Sequence, residues 1–218
     1  MTEQNSILSE IEPELADTIL ATRRDVFAKY ARRAGFLTSA PLVLALASNE
    51  AFGQSLPQKV VDVLNFALTL EYLEAAFYDA GNKANGLIPS KYRTVFRTIG
   101  QHENAHVKLL QGALGSAAVA APGVDFTAGG KYADVFSNFD TFLTLSQTFE
   151  DLGVAAYKGQ AGNLAGTPVL TTALQIHSVE ARHASEVRRI GLKLGWDGAF
   201  DKPKTKAQVL AAATPFLA

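Results

Sequence analysis

The sequence predicts an all-α fold, a four-helix bundle with a long crossover between its second and third helices. From residue 55 onward, apolar residues repeat at the helical rather than the strand period. The connections between the four long periodic segments are short, long and short, which is one of the patterns of such a bundle. The chain has 218 residues, of which 48% are hydrophobic and 19% charged. This composition is sufficient for one domain with a substantial core and is unlike that of a disordered chain.

The four long helices are predicted from their periodicity and from the residues at their ends. Gly81 and Gly195 are the expected stops of the first and fourth helices, and Ser90 is the expected N-cap of the second. One short helix is expected near residues 206–212. The long helices are therefore predicted at residues 57–80, 90–115, 138–161 and 167–195.

The chain is predicted to divide into a leader at residues 1–54, the bundle at 55–195 and a tail at 196–218. In the leader, two arginine pairs precede a charge-free run of sixteen residues at 34–49, an order that is typical of export signals and resembles the twin-arginine type. The run is shorter than the ~20 residues of a membrane span, so no span is expected in the mature protein. We expect a periplasmic or otherwise exported protein. The alternative is a cytoplasmic protein whose N-terminal helix packs on the domain or on a partner.

The composition excludes several kinds of chemistry. The chain has no cysteine, which excludes disulfides, thiolate zinc sites, iron–sulfur clusters and cysteine nucleophiles. Its formal net charge is −1, so there is no electrostatic basis for nucleic-acid binding. The expected chemistry therefore depends on oxygen and nitrogen ligands.

Two Glu-x-x-His motifs lie in the predicted second and fourth helices, at Glu103–His106 and Glu180–His183. In each motif the carboxylate and the imidazole are about one helical turn apart and share a face. Chance placement of the chain's glutamates and histidines predicts roughly 0.2 such pairs, against the two that are present. Because one metal ion can bind to such a pair, the motifs predict two metal-binding groups.

The first and third helices each contribute one further glutamate, Glu71 and Glu150. At ~1.5 Å rise per residue, Glu71 lies ~15 Å and Glu103 ~20 Å from the turn between their helices, so antiparallel packing brings them to a similar depth. The two halves of the bundle also repeat, since Glu71 and Glu150 are 79 residues apart and Glu103 and Glu180 are 77. This repeat predicts a two-metal site on a pseudo-twofold axis.

The residues predicted to bind the two metal ions are Glu71, Glu103, His106, Glu150, Glu180 and His183. Four ionised carboxylates in a bundle core are costly unless paired, and two divalent cations would neutralise them. Oxygen and imidazole ligands fit Fe or Mn, with Zn as a further candidate, and leave coordination positions for water, O₂ or peroxide. The alternative is ion pairing of the motif glutamates with residues such as Lys108 and Arg188, which does not explain the apolar residues that share the motif faces.

The sequence resembles the ferritin-like di-metal carboxylate superfamily. In that superfamily, two helices each contribute one glutamate and the other two each contribute a Glu-x-x-His pair. The segments VLNFALTLEYLEAAFY, FEDLGVAAYKG and VEARHA are similar to those of bacterial ferritin-like proteins related to the desiccation-associated group. The resemblance covers about residues 55–202. It implies a di-iron or di-manganese site at the six residues above. The double motif is closer to bacterioferritin and rubrerythrin than to classical ferritin, and the absence of rubredoxin cysteines implies an external electron donor.

Two tyrosines are the candidate catalytic residues. Tyr78 and Tyr157 each follow a predicted ligand, Glu71 or Glu150, by seven residues, which is two helical turns along the same face. One interpretation is that they donate hydrogen bonds to ligand carboxylates and act as one-electron relays. The other is that they are buried aromatics with satisfied hydroxyl groups.

Other residues near the motifs have open interpretations. Glu74 is either a spare or alternate metal ligand, or an acid beside the site or at its rim. His102 is expected at the surface or beside a ligand, and His177 either orients a ligand or is a packed helix histidine. Asp151 is expected to pair between helices or to lie at the surface. Gly153, inside a helix, indicates either close helix approach or tolerated weakness.

Two classes of function follow from this interpretation. In the first, the protein is an oxidoreductase of stress protection, a ferroxidase or a peroxide-detoxifying enzyme. Its metal pair reacts with O₂ or H₂O₂ and is served by an external reductant. Glu71 and Glu150 are then terminal ligands, and Glu103 and Glu180 bridge the two ions. In the second, the bundle is a non-catalytic metal-binding stress or structural protein. A homo-oligomer is expected, although no feature specifies a storage cage.

Overall fold

The computed structural model describes residues 56–218, and it confirms an all-α helical bundle. The helices are α1 (Gln58–Lys83), α2 (Arg93–Leu114), α3 (Phe139–Gln160), α4 (Val169–Ile190) and the short α5 (Lys206–Ala213). Short 3₁₀ segments lie at Ser90–Tyr92, Gly115–Ala117, Ala161–Leu164 and Thr214–Phe216. The predicted leader lies outside the described residues. Within residues 56–218, no helix has both the length and the apolar content needed to cross a membrane.

The long helices pack as two hairpins, α1 with α2 and α3 with α4. Asn82, near the end of α1, donates a hydrogen bond to the carbonyl of Phe96 near the start of α2. Asn65, near the start of α1, donates one to the carbonyl of Ala117 just beyond α2. The two helices are therefore antiparallel. The long connection at 115–138 returns the chain along the bundle before α3 begins.

The core consists of two apolar clusters, one toward each end of the bundle. The first is rich in aromatic rings, among them Phe77, Phe96, Phe142 and Phe149. The second is mainly aliphatic and includes Leu64, Leu68, Leu110, Leu164 and Ile176. The side chains of the candidate site lie between these clusters, so apolar residues cover the site from both ends of the bundle.

Three of the predicted helix ends are wrong, namely the end of α1, the start of α2 and the end of α4. α1 does not stop at Gly81 but continues to Lys83. Gly81 lies inside the helix, and a Cβ atom there would collide with the ring of Phe142, so this glycine serves close packing rather than termination. Ser90 does not cap α2, because it begins a 3₁₀ segment and α2 starts at Arg93.

The chain turns back along the bundle after α4. This helix ends at Ile190, before the predicted stop at Gly195. The returning segment reaches α3, where the amide of Lys204 donates a hydrogen bond of 3.0 Å to the carbonyl of Ala155. The short helix predicted near residues 206–212 is confirmed as α5, and Thr205 begins it with a capping box.

Candidate metal centre

All six residues predicted to bind metal meet in the middle of the bundle. None is more than 7% exposed, and the four glutamates are completely buried. They come from all four long helices, with Glu71 on α1, Glu103 and His106 on α2, Glu150 on α3, and Glu180 and His183 on α4. Charged side chains are rarely buried to this degree unless they are paired or coordinate metals. The cluster is therefore a functional candidate on burial alone.

The helix period places both motifs on buried faces. On α2, Glu103 and His106 are buried together with Ile99, whereas Lys108 is exposed. Among the described residues, the motif glutamates form no ion pair with Lys108 or Arg188. Arg188 instead binds Asp151 in a bidentate pair with two distances of 2.8 Å.

His106 lies at the centre of the first group of ligand atoms. Its Nδ1 atom is 3.1 Å from Oε2 of Glu71, 3.2 Å from Oε2 of Glu103 and 3.2 Å from Oε1 of Glu180. One oxygen or nitrogen atom from each of these four residues lies within 4.8 Å of the others. The group can therefore surround a single metal ion.

His183 lies at the centre of a second group of the same kind. Its Nδ1 atom is 2.9 Å from Oε1 of Glu103 and 3.4 Å from Oε2 of Glu150. With Glu180, these residues again place four ligand atoms within 4.8 Å of one another. Glu103 and Glu180 belong to both groups. The two groups thus share two carboxylates, and each has one further glutamate and one histidine of its own, so each could hold one ion.

Two tyrosine hydroxyls connect the helices through the outer glutamates. Tyr78 of α1 donates to Oε1 of Glu150 on α3 at 2.6 Å. Tyr157 of α3 donates to Oε1 of Glu71 on α1 at 2.5 Å. Both tyrosines are buried. Burial and the neighbouring glutamates raise the pKa of each hydroxyl well above its ordinary value, so both remain donors at neutral pH.

Without metal, the histidines are the counter-charges of the cluster. Burial lowers the pKa of His183, but Glu103 and Glu150 outweigh this effect and raise it to about 10. Burial also lowers the pKa of His106, but Glu71, Glu103 and Glu180 outweigh this effect and raise it well above its ordinary value. Burial raises the pKa of Glu103 to about 7, although the hydrogen bond with His106 and the closeness of His183 lower it. Burial and the charges of neighbouring glutamates also raise the pKa of Glu180 well above its ordinary value.

Several ligand-type atoms lack a hydrogen-bond partner among residues 56–218. They are Oε1 of Glu103, Oε2 of Glu150, both oxygens of Glu180 and Nδ1 of His183. Buried polar atoms are normally satisfied, and these all face the interior of the cluster. A pair of cations would satisfy them, and the oxygen and imidazole donor set suits Fe or Mn. The residues present therefore fit two metal ions.

Glu74 is a fifth buried carboxylate, only 3% exposed. It lies on α1, one turn after Glu71, and it belongs to neither group of four ligand atoms. Burial and the charge of Glu180 raise its pKa well above the ordinary value. Glu74 is thus inside the bundle beside the cluster and not an acid on its rim.

The remaining candidates lie outside the cluster. His102 is exposed on one side, but its Nδ1 atom lies 2.9 Å from Nε2 of His183 and their rings stack. It is in the position of a residue that orients a metal-binding histidine through its second nitrogen. His177 faces Asp201 at 3.9 Å. Asp151 forms the interhelical pair with Arg188 described above.

Comparison with known families agrees with this architecture. The sequence matches the family described as a ferritin-like domain over residues 59–192. The match runs from the first turn of α1 to just beyond α4, so it includes every residue of the cluster. No curated protein matches the chain.

Proposed function

The chain belongs to the ferritin-like domain family, and on that basis we propose that its buried cluster binds a pair of Fe or Mn ions and reacts with O₂ or peroxide. The reaction is that of a ferroxidase or of a peroxide-detoxifying oxidoreductase in stress protection. The observation that supports the proposal is the sharing of Glu103 and Glu180 between two four-atom ligand groups. A structural ion-pair network has no need of two equivalent centres of this kind.

Each residue of the cluster has a distinct role in this proposal. Glu103 and Glu180, which belong to both groups, would bridge the ions, and Glu71 and Glu150 would be terminal ligands. Each histidine offers Nδ1, the nitrogen that faces the carboxylates. The bound pair supplies redox chemistry toward O₂ or hydrogen peroxide.

Tyr78 and Tyr157 position the terminal glutamates. Each hydroxyl holds Oε1 of one glutamate, while Oε2 of the same glutamate faces a histidine. Because one oxygen is held, the other would stay free to bind an ion beside the histidine. These contacts support a second role for the two tyrosines, which is to carry single electrons between the metal pair and an external reductant.

The test is anaerobic loading of the protein with Fe²⁺, followed by addition of O₂ or H₂O₂. The proposal predicts uptake of two ions per chain, an ultraviolet absorption band typical of an oxidised iron pair, and repeated turnover with a reductant. Two bound ions without turnover would instead support the non-catalytic metal-binding alternative. Elemental analysis of protein from the native host distinguishes Fe from Mn and from Zn.

We propose in addition that the protein is exported. The proposal rests on the order of basic and apolar residues in the first 54 positions. Fractionation of the native host, followed by mass determination of the purified chain, tests it. Recovery of a shortened chain outside the cytoplasm supports export, whereas a full-length chain in the cytoplasm contradicts it.

A further inference from the structure

The internal repeat of the bundle is broken next to the candidate metal centre. The spacing of 79 residues that relates Glu71 to Glu150 and Tyr78 to Tyr157 also relates Glu74 to Gly153. One half of the bundle therefore carries a carboxylate where the other half carries no side chain. A pseudo-symmetric site with this substitution has an extra acid on one side only.

Gly153 provides the space that the extra acid and its neighbour occupy. A Cβ atom at this position would lie 2.6 Å from Oε2 of Glu180 and 3.2 Å from Oε1 of Glu74. The two carboxylates therefore approach the same point on α3. Any residue larger than glycine would displace at least one of them.

The other side chains around Glu74 are mainly apolar. The crevice between α1 and α3 that it lines is walled mainly by apolar residues, namely Leu70, Leu73, Phe149 and Leu152. Oε2 of Glu180, on the same side, is buried and has no hydrogen-bond partner in the described part of the chain. Two neighbouring buried carboxylates are unfavourable when both are ionised, unless a cation is nearby.

We propose that Glu74 is a seventh protein ligand of the metal pair. The Glu74 carboxylate binds on the side of Oε2 of Glu180, and it binds when the bound ions are trivalent. This inference rests on the proposed function. The four glutamates of the cluster carry a charge that two divalent ions neutralise. Two trivalent ions carry two further positive charges, and a fifth carboxylate offsets part of this excess inside a region of low polarity. Glu74 thus favours retention of the oxidised pair over the reduced pair.

The test measures binding of ions that undergo no redox reaction under the assay conditions. Wild-type protein, Glu74→Gln and the control Glu186→Gln, which changes an exposed glutamate on α4, are each titrated anaerobically with Mn²⁺. Separate samples are titrated with Ga³⁺ supplied as its nitrilotriacetate complex. Bound metal is counted by elemental analysis after desalting. Circular dichroism of each variant verifies the helical fold.

We expect wild type and Glu186→Gln to bind two ions of either kind. Glu74→Gln should bind two Mn²⁺ with unchanged affinity but Ga³⁺ at least about tenfold more weakly, the scale of effect seen when one polar group at a metal site is lost. Glu74→Leu, which suits the apolar crevice, carries the same expectation should the glutamine variant fold poorly.

Three outcomes would overturn the inference. Glu74→Gln could bind Ga³⁺ as tightly as wild type, or lose Mn²⁺ as strongly as Ga³⁺, or the wild type could bind Mn²⁺ but not Ga³⁺. In all three of these outcomes the two-metal centre of the wild type itself stands. Failure of the wild type to bind either ion would instead overturn the proposed function together with the inference.

Discussion

The hydroxyl group of Tyr78 donates a hydrogen bond of 2.6 Å to Glu150, across the interface between α1 and α3. The same bond is made in the opposite direction, from Tyr157 to Glu71. α1 and α3 therefore each provide one glutamate of the site. Each also provides the tyrosine that donates a hydrogen bond to the glutamate of the other helix. The two halves of the bundle are connected at the site itself, so the positions of the terminal glutamates depend on the packing of both helices.

Removal of either hydroxyl should destabilise the metal-free protein. In Tyr78→Phe and Tyr157→Phe, a buried carboxylate oxygen loses its donor, which costs about 1–3 kcal/mol of the free energy of unfolding. Urea denaturation of the metal-free variants measures this loss. The control is Tyr92→Phe, a half-buried tyrosine outside the cluster, for which a change of at most about 0.5 kcal/mol is expected. Equal losses in all three variants would show that the two bonds contribute nothing specific.

Two helix glycines should respond in opposite ways to alanine. Gly153→Ala places a methyl group 2.6 Å from Oε2 of Glu180, so we expect lower stability and loss of bound metal. Gly112→Ala is the matched control, since nothing lies within 4 Å of a Cβ atom there. It should stabilise the protein by about 0.5–1 kcal/mol. Thermal denaturation and metal counting distinguish the two. Normal metal content in Gly153→Ala would refute the close approach.

Much of the site could be predicted from the sequence because regular helices convert spacing into position. Glu103 and His106 are three residues apart, and helix geometry alone places them on one face. Matched distances from the turns gave the common depth of Glu71 and Glu103. The observed approach of His106 to Glu71 agrees with that prediction.

The parts that could not be predicted depend on contacts between helices. A glycine such as Gly81 is typical of a helix end. Here α1 continues past it, and the ring of Phe142 on α3 packs against it. The contact of His102 with His183 depends on the distance between α2 and α4. This distance cannot be predicted from the periodicity of either helix. Glu74 did carry a signal, since its repeat partner is Gly153, but its burial follows only from the packing of α1 on α3.

The stability of the metal-free protein should fall as the pH rises. The pKa of His183 is raised from 6.5 to about 10 in the folded state, so its stabilising charge is fully present below about pH 6.5 and is lost toward pH 10. The pKa of Glu103 is raised from 4.5 to about 7, so its ionisation also destabilises the folded state as the pH increases. Urea midpoints measured from about pH 6 to about pH 9 test this slope. A constant or rising stability would contradict the charge assignment.

Metal binding should show the opposite dependence on pH, because the ions displace protons from the histidines. Affinity for Zn²⁺ or Mn²⁺ is expected to rise with pH, with net proton release on binding. Calorimetric titration in buffers of different ionisation enthalpy measures the number of protons released. Binding without proton release would mean that the ions do not replace the protons of His106 and His183.

The four histidines should fall into two classes. His106→Ala and His183→Ala should each lose one of the two ions, because each histidine belongs to a different group of ligand atoms. His102→Ala should keep both ions at saturating metal, with weaker binding on the side of His183, which it contacts. His177→Ala is the control and should bind as the wild type does. Metal counting at saturation is the readout, and loss of both ions in His102→Ala would overturn the assignment.

The most direct test of the central claim is anomalous X-ray scattering from crystals of the Mn²⁺- or Fe²⁺-loaded protein. Two anomalous peaks are predicted inside the bundle, one bound by Glu71 and His106 and the other by Glu150 and His183. Both should contact the carboxylates of Glu103 and Glu180. A single peak, peaks only at surface carboxylates, or no peak at saturating metal would contradict a two-metal centre in this protein.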